Sequence, residues 1–178
     1  MANDVFIQTL PNDPLVQPVI AGLFGEYRQR YGDYFGDQEQ EALDLYAPPQ
    51  GAFIVLLRAG EPIAMGAFKR YDLQTAELKR IWTRTDLRRQ GLAQRVLQQL
   101  ETLAQEQGYH QLYLTTGFRQ PEAVGLYLSN GYQPQFDPSV DSEVYSHPPY
   151  DGRLPFRKSL ITADALCCAP ERKIAIEV

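Results

Sequence analysis

Hydrophobic positions along the chain change their period several times, and each change marks the start of a new element. Residues 5–10, VFIQTL, alternate apolar and polar ahead of Pro11, which predicts a short strand. From Asp13 the interval lengthens to three and four: Leu15, Val16, Val19, Ile20, Leu23, Phe24 and Tyr27 would share one buried helical face, with Asp13 as N-cap before Pro14. The aromatic-rich run 28–35, RQRYGDYF, reads as the end of that helix and a loop, of a kind that either touches ligands or covers the core. Asp37 then precedes a second predicted helix, carrying Leu43, Leu45 and Tyr46 and stopped by Pro48 and Pro49.

Two apolar runs, residues 52–58 and 62–71, flank Ala59-Gly60-Glu61 and predict a hairpin. The stretch from Thr75 extends it into an antiparallel meander of three strands. Between Glu77 and Thr83 simple alternation fails: Glu77, Lys79, Ile81 and Thr83 fall on one side, Leu78, Arg80 and Trp82 on the other. Neither set is apolar, which predicts either a β-bulge or a strand whose polar side chains face a site. The strongest helical signal covers residues 91–107, where Leu92, Val96, Leu97, Leu100, Leu103 and Ala104 make one stripe and Gly108 supplies a stop. The strand QLYLTT (111–116) follows, so a parallel crossover pairing with the strand from Thr75 is expected. Pro121 and Glu122 open another helix ending at Gly131. Strands are predicted at 132–136 and 154–160, with a long polar loop between them. Beyond lies a tail in which Ile174, Ile176 and Val178 alternate, and which would pair with a sheet edge or stay unstructured. The reading is one domain over residues 1–160 and a tail over 161–178.

Composition narrows the function more than the fold. The chain has 178 residues, 44% hydrophobic and 22% charged, as expected of one ordinary globular domain. A formal net charge of −5 opposes nucleic-acid binding, which needs a broad basic surface. No apolar run reaches the roughly 20 residues that cross a bilayer, and the N-terminus lacks the basic and apolar regions of a secretory signal. A cytoplasmic protein with no nucleic-acid or membrane partner is expected. The only cysteines, Cys167 and Cys168, are adjacent and read as reduced thiols; together with only His110 and His147 they predict no metal site. No Ser-His-Asp arrangement, G-x-x-x-x-G-K-[ST] or G-x-G-x-x-G is present.

The candidate chemistry is concentrated between Thr75 and Gln94. A strand there passes through a polar turn into the amphipathic helix across Arg88-Arg89-Gln90-Gly91-Leu92-Ala93. Exposed N–H groups and the positive end of the helix dipole suit such a junction to a phosphate, and Gly91 lets the backbone approach closely. The hexapeptide fits [Q/R]-x-x-G-x-[G/A]. With ELKRIW before it and QPEAVGLYLSNGY after it, the chain resembles the GNAT superfamily of N-acetyltransferases. The likeness is dense over residues 52–132 and follows the element order from 5 to 160.

The resemblance implies an α/β fold, α+β in some schemes, with a mixed, mostly antiparallel sheet of about six or seven strands flanked by about four helices. It implies acetyl-CoA as co-substrate, no metal, and direct acetyl transfer to a primary amine of a small molecule or peptide; it also allows a homodimer. Ile81, Trp82 and Thr83 would face the pantetheine and thioester, Arg88, Arg89, Gln90, Gly91, Leu92, Ala93 and Gln94 the pyrophosphate, and Gln120 would add a contact where the family often has Asn. Thr83, Thr85 and Ala93 depart from the more frequent Val, Pro and Gly. Tyr127 matches the tyrosine that protonates the departing thiolate. Glu77 is the candidate general base, its rival reading being a surface carboxylate paired with Lys79 or Arg80. Arg119 and Trp82 would line the acceptor pocket or simply pack. Asp33, Asp37, Glu39 and Glu41, near the aromatic loop, would attract a cationic amine or stay solvated. An acyl-CoA-binding or sensory module without turnover is the alternative.

Overall fold

The computed structural model describes residues 3–36 and 41–161. The predicted cap Asp37, Glu39, and the tail from 162 onward with its cysteines and alternating apolar residues lie outside the described residues. One seven-stranded sheet runs through the molecule in the order β1-β2-β3-β4-β5-β7-β6. Its strands are β1 (Asp4–Gln8), β2 (Ala52–Arg58), β3 (Glu61–Arg70), β4 (Thr75–Thr83), β5 (Gln111–Gly117), β6 (Gln133–Pro134) and β7 (Arg153–Ser159). Among the described residues three α-helices flank it: α1 (Gln17–Tyr31), α2 (Leu92–Glu106) and α3 (Pro121–Ser129). Among the described residues no helix is long and apolar enough to cross a membrane.

Both faces of the sheet are covered, which is why β2 is apolar almost throughout. Ala52, Ile54 and Leu56 join the core under α2, with Val96, Leu97 and Leu100. Phe53 and Val55 point the other way, to Val16, Val19, Ile20 and Leu23 around α1. The first predicted helix starts as a 3-10 turn, Pro14–Val16, capped by Asp13, whose carboxylate accepts from the Leu15 N–H at 2.9 Å. The second predicted helix is absent in the described part: Leu43–Tyr46 form a single 3-10 turn. Leu43 and Leu45 are exposed, and only Tyr46 enters the core, its hydroxyl donating to Glu41 at 2.6 Å. With one buried residue, this segment has no apolar stripe to sustain an α-helix before Pro48. The predicted strand at 132–136 shrinks to Gln133–Pro134, and the loop after it contains a 3-10 turn, Ser142–Ser146.

The broken alternation in β4 is a bulge. Met65 pairs with Trp82 and Ala67 with Lys79, so Arg80 and Ile81 together oppose Gly66 alone. Arg80 has φ 57, a left-handed conformation that is uncommon outside glycine. The extra residue shifts the register: Ala76, Leu78 and Ile81 pack toward α2, while Trp82 joins the α1 side and Arg80 stacks there over Phe24 and Tyr46. Opposite the bulge, α2 lies directly on β3. A Cβ on Gly66 would stand 2.6 Å from Val96 Cγ1 and 2.8 Å from Leu100 Cδ1.

β4 and β5 pair in parallel, but only Thr75–Glu77 with Gln111–Tyr113. Beyond that, β4 continues along β3 to Thr83 and β5 along β7 to Gly117, with no ladder between them. The sheet therefore opens at its centre. Because Val96 and Leu100 are both fully buried and cannot withdraw, Gly66→Val should lower stability by about 1–3 kcal/mol through overpacking. The midpoint of urea unfolding, at unchanged slope, measures it.

Candidate active site

The opening between β4 and β5 leads into two cavities. The smaller, about 160 Å³, lies between Lys79–Ile81 of β4 and Thr115–Gly117 of β5, under Tyr27 and Tyr31 of α1. The larger, about 580 Å³, runs from Ile81, Trp82 and Thr83 to the start of α2 and along α3. Ile81, Gln120, Ala123 and Tyr127 line both, so the cavities meet there.

At the α2 end the chain passes through a 3-10 turn, Thr85–Leu87, and then Arg89 and Gly91, with φ of 66 and 75. Arg95 donates to the Gly91 carbonyl at 3.1 Å; ahead of it, the N–H groups of Leu92, Ala93 and Gln94 have no carbonyl one turn back to meet. Those donors, with Arg88 and Arg89, line the larger cavity. Gln90 does not. Its side chain instead accepts from Arg58 Nη1 at 3.4 Å, on the side away from the cavity. Thr83 Oγ1 is buried without a hydrogen-bond partner among the described residues, a polar atom beside the cavity that a ligand could satisfy.

Arg88 is held before any ligand arrives. Its Nε donates to the Thr83 carbonyl at 3.1 Å, its Nη2 to Glu26 at 2.5 Å, and its guanidinium lies over the Trp82 ring. Glu26 also accepts from Trp82 Nε1 at 3.1 Å and pairs with Arg30 at 2.6 Å, and Arg30 pairs in turn with Glu122 at the start of α3. Four alternating charges thus run from the turn before α2, through α1, to α3. Only Arg88 is a site candidate in the sequence; Glu26, Arg30 and Glu122 are not, although Glu26 and Arg30 stand at the i,i+4 spacing of a helical ion pair. Burial pushes the Glu26 carboxyl up, but hydrogen bonds from Arg88 and Trp82 and the charges of Arg88 and Arg30 outweigh it, leaving its pKa lowered. Gly22 makes the contact between α1 and Trp82 possible, since a Cβ there would lie 2.2 Å from the indole ring.

Where the cavities meet, Gln120 uses its carbonyl oxygen to fix the turn between β5 and α3. It accepts from the Gly117 N–H at 2.9 Å, the Thr116 hydroxyl at 3.2 Å and the Tyr31 hydroxyl at 3.1 Å. Tyr127 comes from the buried side of α3 and packs on Tyr132 and Phe156. Its hydroxyl has no hydrogen-bond partner among the described residues, and burial pushes its pKa well above the ordinary phenol range. It therefore keeps its proton at neutral pH. Glu77 stands apart: it pairs with Lys69 of β3 and Tyr113 of β5 at the last rung before the opening and lines neither cavity. Of the acidic residues near the aromatic loop, Glu41 is bound by Lys69 and Tyr46, and Asp33 lines a further cavity at the end of α1 that adjoins the smaller one, with Tyr27, Tyr31 and Phe35 in both. Arg119 faces outward to Glu143.

The model of the acetyltransferase (GNAT) family matches residues 20–132, more than half of the chain. The chain belongs to the GNAT acetyltransferase family. Solved structures agree in fold with this GNAT acyltransferase. A candidate acyl-CoA N-acyltransferase from Klebsiella pneumoniae subsp. pneumoniae MGH 78578 superposes with TM-score 0.68 at 24% identity, covering 88% of this chain and 97% of that one. An acetyltransferase of the GNAT family from Staphylococcus aureus Mu50 gives 0.67 at 17%, covering 89% and 99%. A GNAT family acetyltransferase from Elizabethkingia anophelis, solved with acetyl-CoA bound, gives 0.56 at 16%, covering 88% and 98%. Comparison with curated proteins yields no match.

The charge chain in this GNAT protein carries a pH signature. Because the folded Glu26 pKa lies below its ordinary value of 4.5, the unfolded chain takes up the proton first as pH falls. The stabilisation is whole above that value and is lost as pH drops through the folded pKa. Glu26→Gln should be less stable than wild type at pH 7, by about 1.5–3 kcal/mol for hydrogen bonds to charged groups. It should also lose less stability than wild type between pH 6 and pH 3. Thermal unfolding of both proteins across that range checks the difference in slope.

Proposed function

We propose that the chain transfers an acetyl group from acetyl-CoA to a primary amine by direct attack, with no acyl-enzyme. The observation that carries this reading is the meeting of the two cavities at Ile81, Gln120 and Tyr127. A donor laid along the larger cavity and an amine in the smaller one would reach each other there without a relay. Fit to the donor rests on the unpaired N–H groups of Leu92, Ala93 and Gln94, on the orphaned Thr83 hydroxyl, and on a cavity of about 580 Å³, within the range of small-molecule and cofactor sites.

Acetyl-CoA supplies the acetyl thioester. The start of α2, with Arg88 and Arg89, would hold the pyrophosphate, and Arg88 would exchange part of its pairing with Glu26 for phosphate oxygen. Ile81, Trp82 and Thr83 would align the pantetheine, and the Gln120 amide would add a donor. Backbone N–H groups of the bulged strand would stabilise the charge that builds on the carbonyl oxygen. Tyr127, kept protonated by burial, would donate its proton to the leaving sulfur. The ammonium of the acceptor must lose a proton before it attacks. We assign that step to Glu77 through intervening water, since Glu77 stands one rung outside the opening.

Two variants separate these roles. Tyr127→Phe should lower kcat by about 10²–10⁴, the usual range for a lost general acid, while calorimetric affinity for acetyl-CoA stays within about twofold. Full activity in that variant would remove Tyr127 from the mechanism. Glu77→Gln should slow turnover at pH 7 and shift the acidic limb of the kcat/KM profile; an unmoved limb would assign the base elsewhere. Absence of acetyl-CoA binding by the wild-type chain would end the whole reading.

A further inference from the structure

Among the described residues, cations outnumber carboxylates around the smaller cavity. Lys79, Arg80 and Arg153 line it, and among the described residues no carboxylate does. This contrasts with the larger cavity, where Arg88 and Arg30 are matched by Glu26 and Glu122. Among the described residues Lys79 and Arg80 make no ion pair. Glu41, whose carboxyl feels the charge of Lys79, is taken by Lys69 and the Tyr46 hydroxyl. Arg153 pairs at the rim with Asp151 at 3.1 Å and lies 5.0 Å over the Phe35 ring. Even with Asp151, and with Asp33 and Arg28 of the adjoining cavity, counted, the balance among the described residues is positive.

The bulge produces this arrangement. Arg80 is held left-handed, at a cost of about 1–2 kcal/mol for a residue with a Cβ. Glycine would avoid that cost, so the position is occupied by a side chain that the conformation disfavours. The guanidinium is buttressed by Phe24 and Tyr46, each ring centroid 5.6 Å away. Backbone strain retained together with a supported cation is the pattern of a binding group, for which strain is offset by ligand contacts.

We propose that the acceptor is a small primary amine bearing a carboxylate, with the carboxylate bound by Lys79, Arg80 and Arg153 and the amine directed to Tyr127. The inference rests on reading this cavity as the acceptor side of the transferase. Its direction follows from the lining: Tyr127 and Ile81 are shared with the donor cavity, whereas Lys79, Arg80 and Arg153 belong to the smaller cavity alone. Guanidinium and ammonium groups give charge-assisted hydrogen bonds to a carboxylate. The same cations repel a polyamine, and a volume of about 160 Å³ suits a small acceptor. Of the acidic residues expected to attract a cationic amine or stay solvated, Glu41 is engaged by Lys69 and Tyr46, and Asp37 and Glu39 lie outside the described residues.

The test compares amines that differ only by the carboxylate: L-phenylalanine with phenethylamine, and 4-aminobutyrate with propylamine, plus spermine as a polycation. Acetyl-CoA-dependent thiol release, with mass-spectrometric detection of the product, gives kcat/KM for each. Calorimetry on the CoA-loaded protein gives binding without turnover. In at least one pair the carboxylate-bearing member should be favoured tenfold or more, and spermine should be poorer than it. In Lys79→Gln and Arg153→Gln the ratio within that pair should fall toward one, with KM carrying most of the change. A merely structural effect would lower both members together and leave the ratio intact, which would overturn the proposal. No preference in either pair, or spermine as the better substrate, would also overturn it. Selective binding of the carboxylate-bearing amine, abolished in Arg153→Gln but with no acetylation of any amine, would uphold the anion site and remove the transferase reading instead. Neither binding nor turnover would overturn the anion site.

Discussion

Two residues of β4 opposing one glycine of β3 is the constraint from which the rest of this structure follows. In a regular ladder Arg80 and Trp82 would share the face of Leu78, under α2, and Ile81 would take the other. The inserted residue reverses this, placing Arg80 and Trp82 on the α1 side while Ile81 joins Leu78 under α2. Bulges bend the strand that carries them, and this one follows the last rung that β4 shares with β5 at Glu77. Gly66 accepts the distortion because it has no side chain to compete with Val96 and Leu100 for the same space. The bulge sets Ile81 where the two cavities meet and Arg80 on the side of the smaller one.

Charge is distributed unevenly about the opening. On the α2 side every cation that reaches toward α1 has a carboxylate, and the series Arg88, Glu26, Arg30, Glu122 is continuous. Such a series is half-buried, so removing one member strands its neighbours. Its value lies in orientation: Trp82 and Arg88 are both fixed by the one carboxylate of Glu26. On the β5 side the sheet offers hydroxyls and a glutamine, and the Thr116 hydroxyl and Gly117 N–H both donate to the Gln120 carbonyl oxygen that organises the turn.

What could be read from the sequence was local. The α2 stripe, the hairpin and the Asp13 cap depend on neighbours within a few residues, and each is present as expected. The failed alternation between Glu77 and Thr83 was a true signal, and the bulge resolves it in favour of Arg80 as the extra residue. The turn into α2 stands at the motif, with the Gln90 side chain directed outward to Arg58. Glu26, Arg30 and Glu122 could not be found that way, since their partners lie across the fold. The second predicted helix is absent from the described part because Leu43 and Leu45, the apolar positions that suggest it, are exposed and form no buried stripe. The seven-strand count and the mixed pairing agree with the family likeness. The homodimer and the choice of acceptor depend on partners that a single chain does not display.

The short parallel ladder between β4 and β5 has a mechanical side. From Glu77 to Thr83, β4 extends roughly 20 Å past the joint at the usual rise per residue. A rotation of a few degrees at three rungs would therefore move its tip by more than an ångström. The far ends are not left to the sheet. Trp82 and Arg88 are tied to Glu26 of α1, while Arg30 and Tyr31 of the same helix are tied to Arg119 and Gln120 after β5. Helix α1 thus works as a crossbar between two lever arms, and the width of the cleft at its working end is set by a helix that belongs to neither strand.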